Sequence, residues 1–233
     1  MSDEHVVVLN VACGSWFPKG QQRLKNSLEQ FPEITFKGWK DEYPPGCNPH
    51  QTHPYQFKTE AIAWALRQGF DVAIWADAST WFVKNPRHLV RTTRDRGCWF
   101  CTMGWNVGQW CSDKALPATG MTREELFKVT MVAATFYAID LKSKWVHKYL
   151  EYMRYKQPHF AGPYRNDNGE ASANRNVGGH RHDQTFLSIF AYRNDMIIDK
   201  NPCFFAYAKQ LIYGDPESAV APHDVAVAVA QGM

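Results

Sequence analysis

The feature that most constrains the fold is a short apolar run that ends in a polar turn. Val72 to Trp75 follow a helical pattern ending at Gly69, and such a run is typical of a strand buried on both faces of a parallel sheet. Asp77-Ala78-Ser79 comes directly after it. A carboxylate at the C-terminal end of a central strand lies where open α/β sheets bind their ligands. The simpler alternative is that Asp77 caps its own turn.

Strands and helices alternate on both sides of this run. Short β-branched or apolar runs predict strands, and apolar residues at helical spacing predict helices. The predicted strands are Val6 to Ala12, Ile34 to Trp39, Val72 to Trp75, Cys98 to Met103, Thr130 to Ile139 and Met196 to Ile198. The predicted helices are Gln21 to Phe31, Tyr55 to Gln68, Asn85 to Arg96, a short one opening at the Thr122 capping box, Lys142 to Lys156 and Asp183 to Tyr192.

This alternation predicts an α/β fold with a mostly parallel central sheet flanked by helices. Residues 1–213 are expected to form one catalytic domain. Residues 214–233 are expected to be a C-terminal tail, either an edge strand, because Ala and Val alternate in it, or a flexible segment. Two loops interrupt the pattern: the proline-rich stretch from Lys40 to Pro54 and the polar stretch from Pro158 to Gly179.

Composition narrows the class of protein. A net charge of +3 permits an anionic ligand but does not indicate a nucleic-acid-binding stripe. Aromatic residues make up 14% of the chain, which suits sugar or base binding and equally suits a plain core. The acidic start of the chain shows no export signal, and no apolar run is long enough to span a membrane. Six cysteines in such a chain predict reduced thiols and a cytoplasmic protein.

Three segments carry candidate chemistry. Asp77 and Ser79 are oxygen ligands two residues apart, of the kind that Mg²⁺ and Mn²⁺ prefer. Gly178 to Gln184 places five polar residues before an apolar helix, where free N–H groups bind anions, although Asp183 could be only an N-cap. Lys58 lies near the start of a helix and would contact a phosphate or ribose, unless it is a solvated surface lysine.

The order of these segments resembles the glycosyltransferases of the GT-A fold, which are single Rossmann-like domains that use a nucleotide-sugar donor. The family has a helix with a lysine before a strand ending in Asp-x-Asp, which corresponds here to Tyr55-Gln-Phe-Lys58 and Ile74-Trp-Ala-Asp-Ala-Ser79. Its later "N-A-G-x-x-x-I-D-L" strand and "D-Q-x-x-L" helix are matched loosely by Ala133 to Leu141 and by Asp183-Gln-Thr-Phe-Leu187. The correspondence spans roughly Val6 to Phe205, about the whole chain.

The resemblance implies roles for individual residues. Asp183 and Gln184 would be catalytic, contacting the sugar at its reacting carbon; in an inverting reaction Asp183 would be the base. A divalent cation, Mn²⁺ or Mg²⁺, would bind at Asp77, with Ser79 and His223 as further ligands. His180, Arg181 and His182 could neutralise the diphosphate in its place. The implied donor-binding residues are Asn10, Ala12, Lys58, Asp77, Ser79, His180, Arg181 and His182.

The resemblance also leaves alternatives open. Ser79 stands where the family has the carboxylate that usually holds the metal most directly, so metal dependence stays open. The expected activity is a hexosyl or related transfer to a glycan, a small molecule, a protein or a modified nucleic acid base. The alternatives are a nucleotidyltransferase of similar fold and a catalytically idle nucleotide- or sugar-binding module. The donor sugar, the stereochemistry and the oligomeric state do not follow from the sequence.

Overall fold

The computed structural model describes residues 4–200, 203–207 and 226–230 of the chain. The strands in these ranges are β1 (Val6–Ala12), β2 (Ile34–Lys40), β3 (Val72–Ala76), β4 (Thr80–Phe82), β5 (Cys98–Asn106), β6 (Thr130–Val132), β7 (Phe136–Asp140), β8 (Ile198–Asp199), β9 (Phe205–Tyr207) and β10 (Ala228–Ala230). The helices are α1 (Phe17–Leu28), α2 (Gln56–Arg67), α3 (Arg87–Arg96), α4 (Leu116–Thr119), α5 (Arg123–Leu126), α6 (Lys144–Lys156) and α7 (His182–Arg193). None of the helices in these ranges has the length and apolar character needed to cross a membrane.

The central sheet has the order β2-β1-β3-β7-β5-β6, with β8 beside β5. β1 pairs in parallel with β2 and β3, whereas β7 is antiparallel to both β3 and β5. In the described part of the chain, β2, β1, β3, β5 and β8 therefore run in one direction and β7 and β6 in the other. The predicted α/β fold with a mostly parallel sheet flanked by helices is confirmed.

Helices cover both faces of this sheet. The side chains of each strand alternate between the two faces, so each face has side chains that pack against the helices covering it. Val7 and Leu9 pack in a cluster with α2, α6 and α7, while Val6 and Val8 pack in a second cluster with α1 and α3. The connection after β1 thus runs over one face, and the connection before β3 runs over the other. The C-terminal ends of β1 and β3 form a topological switch point, where sheets of this class bind ligands.

One predicted strand is wrong in a way that bears on the site. Thr130 to Ile139 is two strands, β6 and β7, separated by residues 133–135. Ala133 still pairs with Cys101, but the next two carbonyls accept hydrogen bonds from other segments. The carbonyl of Ala134 accepts a hydrogen bond from Lys58, and that of Thr135 accepts one from the amide of Asp77. The break therefore supplies acceptors at the end of β3.

A second, smaller sheet follows the turn after β3. β4 was not expected from the sequence, and it pairs antiparallel with β10, which in turn pairs in parallel with β9. The Ala-Val alternation of the tail does form a strand, but that strand lies between two others rather than at an edge. Residues 208–225 lie outside the described ranges, so the predicted boundary at residue 213 stays a prediction.

A substitution at Gly20 tests how closely α1 packs against the turn after β3. A Cβ atom at this position would lie 2.1 Å from the carbonyl oxygen of Ala78. In an open helix, glycine to alanine stabilises by roughly 0.5–1 kcal/mol. Gly20→Ala should instead destabilise by about 1–3 kcal/mol, because the Ala78 backbone must shift. Urea denaturation measures this, with Lys25→Ala on the exposed side of α1 as a control expected within about 0.5 kcal/mol of wild type. A stabilised Gly20→Ala variant would contradict the described packing.

Candidate functional site

A buried lysine joins three segments that are distant in sequence. The Lys58 side chain, on α2, is 5% exposed. Its Nζ lies 2.9 Å from the carbonyl oxygen of Ala134, 3.1 Å from Asp183 Oδ2 and 3.4 Å from Asp77 Oδ1. These partners come from the break between β6 and β7, from the start of α7 and from the turn after β3. We refer to Lys58, Asp77 and Asp183 as the charge cluster.

The two carboxylates of the cluster keep Lys58 protonated. Burial by itself would lower the pKa of Lys58, but the charges of Asp183 and then Asp77 outweigh burial and raise that pKa. Lys58 is therefore an ammonium group throughout the physiological range. Burial raises the pKa of Asp77, while the neighbouring Lys58 and the Trp75 indole oppose that rise. Asp77 is the open member of the cluster, with 35% of its side chain exposed.

The purely local interpretations of these three residues are wrong. The carboxylate of Asp77 does not cap its own turn: it accepts a 2.7 Å hydrogen bond from Trp75 Nε1. Asp183 makes no capping bond at the start of α7, where Arg181 is the N-cap residue. Lys58 is buried rather than solvated. Each of the three side chains is oriented by tertiary contacts.

Two residues beside the cluster have strained backbones. Tyr55 and His182 have φ angles of 59° and 50°, in the left-handed region that non-glycine residues seldom adopt. Their rings stack on each other, with centroids 4.9 Å apart and planes 26° apart. His182 Nδ1 donates to the carbonyl of Phe160 at 2.7 Å, and Lys58 Nζ lies 5.4 Å from the centre of the Tyr55 ring. Such strain persists only where surrounding contacts hold it, and it is common at ligand sites.

Arg181 is a cation enclosed by aromatic rings. The carbon of its guanidinium lies 4.0 Å from the centre of the Tyr164 ring, 4.1 Å from that of Trp110 and 5.2 Å from that of Trp105. Its Nε is buried with no hydrogen-bond partner. In the residues that the structure describes, Arg181 forms no ion pair with a carboxylate. A desolvated, unpaired guanidinium is suited to an anionic ligand such as a phosphate.

The two histidines that flank Arg181 differ in accessibility. His180 is fully buried; its Nδ1 accepts from the amide of Ser112 and its Nε2 donates to the carbonyl of His159. Burial, with a smaller contribution from His182, lowers the pKa of His180 to about 4, so the ring is neutral. His180 thus holds the segment that carries Arg181, whereas His182 lies in the stack beside the charge cluster.

The predicted donor residues of β1 lie beneath the site. The side chain of Asn10 is buried, donates to the carbonyl of Ala76 at 2.6 Å and accepts from Gln21 at 2.9 Å. Ala12 is also buried, and its carbonyl accepts from the amide of Asp41. Both residues brace the end of the sheet next to Asp77.

The two remaining predicted residues, Gln184 and Ser79, each take part in a hydrogen bond to a main-chain carbonyl. Gln184 Nε2 donates to the carbonyl of Val132 at 2.8 Å, which joins α7 to the end of β6. The carbonyl of Ser79 accepts from Arg23 at 2.8 Å, which joins the turn after β3 to α1. Gln184 follows Asp183 in α7.

The described residues do not form a metal site by themselves. Within the described ranges, no group of three or more His, Cys, Asp or Glu side chains is placed to hold a metal ion. The Asp77 carboxylate is already engaged by Lys58 and Trp75, and Ser79 offers only a hydroxyl. His223, the third ligand suggested by the resemblance, lies outside the described residues. Asp77 and Ser79 supply two oxygen ligands, so a divalent cation there would need further oxygens from a bound diphosphate and from water.

The carboxylate of Asp113 and the amide of Asn166 both anchor the polar loop before α7. Asp113 accepts from Arg123 and from the Ser172 hydroxyl, both at 2.7 Å, and from the amide of Ala173 at 3.2 Å. Asn166 folds the loop on itself by bonding to the carbonyls of Ser172 and Val177. These contacts hold the segment that leads into Arg181.

Several residues of the site were not singled out from the sequence. Strand side chains two positions apart lie on the same face of a sheet. Because Trp75 precedes Asp77 by two residues, the sequence did carry a signal for the proximity of these two side chains. The enclosure of Arg181 joins the end of β5, the 3₁₀ turn that follows it and the loop before α7, and no local pattern indicates it. The residues missed in this way are Tyr55, Trp75, Trp105, Trp110 and Tyr164.

Comparison with known proteins adds little beyond this geometry. No protein-family model matches the chain, and no curated protein matches it. Among solved structures, the chain is similar to a glycosyltransferase involved in the glycosylation of the major capsid of PBCV-1. That similarity covers 97% of this chain and 91% of that chain, at 11% sequence identity and a TM-score of 0.49.

Replacing Lys58 by methionine tests whether the ammonium stabilises the fold. Because its pKa is raised, its contribution is fully present below about pH 10 and is lost only as the pH rises through the folded-state value. Lys58→Met should cost about 3 kcal/mol at pH 7, since two carboxylates lose their partner. The deficit should shrink at acidic pH, because burial raises the pKa of Asp77 and protonation of this carboxyl removes one of the charges left unpaired in the variant. Denaturant unfolding at several pH values measures this; a deficit independent of pH would contradict the account.

A second variant tests the anchoring of the loop. Asp113→Ala removes the acceptor for Arg123, Ser172 and Ala173, so hydrogen exchange of the amides in residues 163–179 should accelerate. Asp167→Ala, at an exposed position in the same loop, is the matched control and should exchange like wild type. Unchanged exchange in Asp113→Ala would show that other contacts hold the loop.

Proposed function

We propose that the protein is a glycosyltransferase that moves a sugar from a nucleoside-diphosphate donor to an acceptor. The observation that carries this proposal is the charge cluster at the switch point, where a buried ammonium joins two carboxylates from separate segments. Carboxylates held in this way can accept hydrogen bonds from sugar hydroxyls with fixed geometry. The resemblance of the segment order to the GT-A glycosyltransferases supports the same conclusion.

The donor would lie across the C-terminal ends of β1 and β3. Asp77, the exposed carboxylate of the cluster, would hold the ribose or the first sugar hydroxyls, and Asp183 with Gln184 would contact the transferred sugar. Arg181 would bind the diphosphate, because it is a cation without a carboxylate partner among the described residues. His182 would line the same side through its stack on Tyr55.

The reaction breaks the bond between the anomeric carbon and the diphosphate oxygen. The leaving nucleoside diphosphate takes the electron pair, and the guanidinium of Arg181 would stabilise its charge. The acceptor oxygen forms the new bond to the anomeric carbon and gives up its proton. In an inverting reaction Asp183 would take that proton. In a retaining reaction the departing diphosphate oxygen would take that proton, and Gln184 would lie against the sugar face without acting as a base.

A divalent cation is not required by the proposed reaction and would only add to the protein residues named above. Such a cation would bind at Asp77 and Ser79, where it would neutralise charge on the diphosphate when present. Because Ser79 replaces a carboxylate, binding of the cation would be weak, and Arg181 is expected to supply most of the charge neutralisation. No step above depends on the cation.

The first prediction of this proposal concerns ligand binding. Uridine or guanosine diphosphate should raise the melting temperature, since a ligand at about 100 times its Kd adds about 2.7 kcal/mol. Any further increment in Mn²⁺ should disappear in Asp77→Asn, which should still fold and melt cooperatively. If Asp77→Asn unfolds and no nucleotide shifts the melting of wild type, the cluster is structural and the proposal fails.

The second prediction concerns Asp183. Asp183→Asn keeps the shape of the side chain but removes its charge, so turnover with a nucleotide sugar should fall by about 10² or more. Asp140→Asn is the matched control, because Asp140 is also buried and paired with a basic residue, Arg94, but lies at the opposite end of β3. That variant should lose stability and keep its turnover per folded molecule. Near wild-type turnover in Asp183→Asn would exclude Asp183 as a catalytic residue.

A further inference from the structure

The geometry points to an acceptor site for a neutral saccharide on the exposed rings of Trp105 and Tyr164. This inference rests on the proposed function, which it deepens by naming the class of acceptor. Trp105 is 38% exposed and Tyr164 is 47% exposed. Large aromatic side chains that remain open to solvent beside a polar site are suited to stacking against the apolar face of a planar or ring-shaped ligand.

The two rings are held in place before any ligand binds. Trp105 packs against Trp110 with centroids 5.1 Å apart, and the guanidinium of Arg181 lies against all three rings. Arg181 itself is fixed by its amide, which donates to the carbonyl of Trp110. A rigid aromatic surface loses little conformational entropy on binding, which favours affinity for small polar ligands.

The surface leads directly to the charge cluster. Tyr164 stacks on His182 with planes 18° apart, and His182 stacks on Tyr55. Tyr55 in turn lies against Lys58, the centre of the cluster. A saccharide on Trp105 and Tyr164 would therefore extend along His182 and Tyr55 towards the sugar that Asp183 and Gln184 are proposed to hold.

Apart from the single guanidinium of Arg181, the charge around these rings is balanced, which favours a neutral ligand over a nucleic acid. No residue from Gly97 to Ser112, the segment that carries Trp105, is charged. In the loop that carries Tyr164, the exposed charges of Arg165 and Arg175 are balanced by those of Asp167 and Glu170. Binding a nucleic acid strand requires a continuous positive groove along its backbone. A saccharide requires only the ring faces and neighbouring hydrogen-bonding groups.

The experiment measures binding of the full chain to an array of immobilised neutral glycans, with a labelled single-stranded oligodeoxynucleotide as the competing probe. Wild type should bind neutral glycans, and both Trp105→Ala and Tyr164→Ala should weaken that binding by about tenfold or more. Trp105→Phe, which keeps an aromatic ring, should retain most of it. Tyr192→Ala is the matched control, since Tyr192 is also 47% exposed but lies on α7 with no aromatic contact described.

The outcomes separate this inference from the proposed function. Cooperative melting of both alanine variants verifies that they fold, and the control Tyr192→Ala should keep the stabilisation by a nucleoside diphosphate. If nucleotides stabilise the protein but no glycan binds, the acceptor inference is overturned and the transferase stands. The inference is also overturned if glycan binding survives both alanine variants, or if the oligonucleotide binds in their place with the same sensitivity. Glycan binding that depends on both rings, without any nucleotide effect, would support the saccharide site and overturn the transferase.

Discussion

The burial of the Lys58 ammonium is the constraint on which the site depends. Removing such a group from water costs several kcal/mol unless charges and hydrogen bonds offset the loss. Asp183, Asp77 and the carbonyl of Ala134 provide this compensation, and they belong to a helix, a turn and a strand break that are distant in sequence. The fold must therefore bring all three together, and the cost of separating them keeps the end of β3 in a single arrangement.

The surrounding structure can be understood as support for this arrangement. The break between β6 and β7 frees two carbonyls, one for Lys58 and one for the amide of Asp77. The small sheet holds the chain immediately after Ser79, and α1 packs so closely there that only glycine fits at position 20. Tyr55 and His182 keep left-handed backbones next to the cluster. These features each raise the cost of moving the charged groups, which is what a site preorganised for a ligand requires.

The strands and helices that carry the site could be predicted, because their patterns are local. The apolar run of β3 and the amphipathic pattern of α2 placed Asp77 and Lys58 at a sheet edge and a helix start. The pairing of Lys58 with Asp183 could not be derived from the sequence, since 125 positions separate these residues in the chain. The break at Ala134 could not be predicted either, because residues 130–139 are uniformly apolar or β-branched and favour one continuous strand. The enclosure of Arg181 by three rings depends on loop packing, which leaves no periodic signal.

The most direct test of the account is a crystal structure with a bound nucleotide sugar, using the nucleotide that stabilises the protein most. We expect the sugar to contact Asp77 and Asp183, with Lys58 still between the two carboxylates, and we expect the diphosphate to lie at Arg181. Binding of the nucleotide elsewhere on the molecule, with the charge cluster untouched by the ligand, would contradict it.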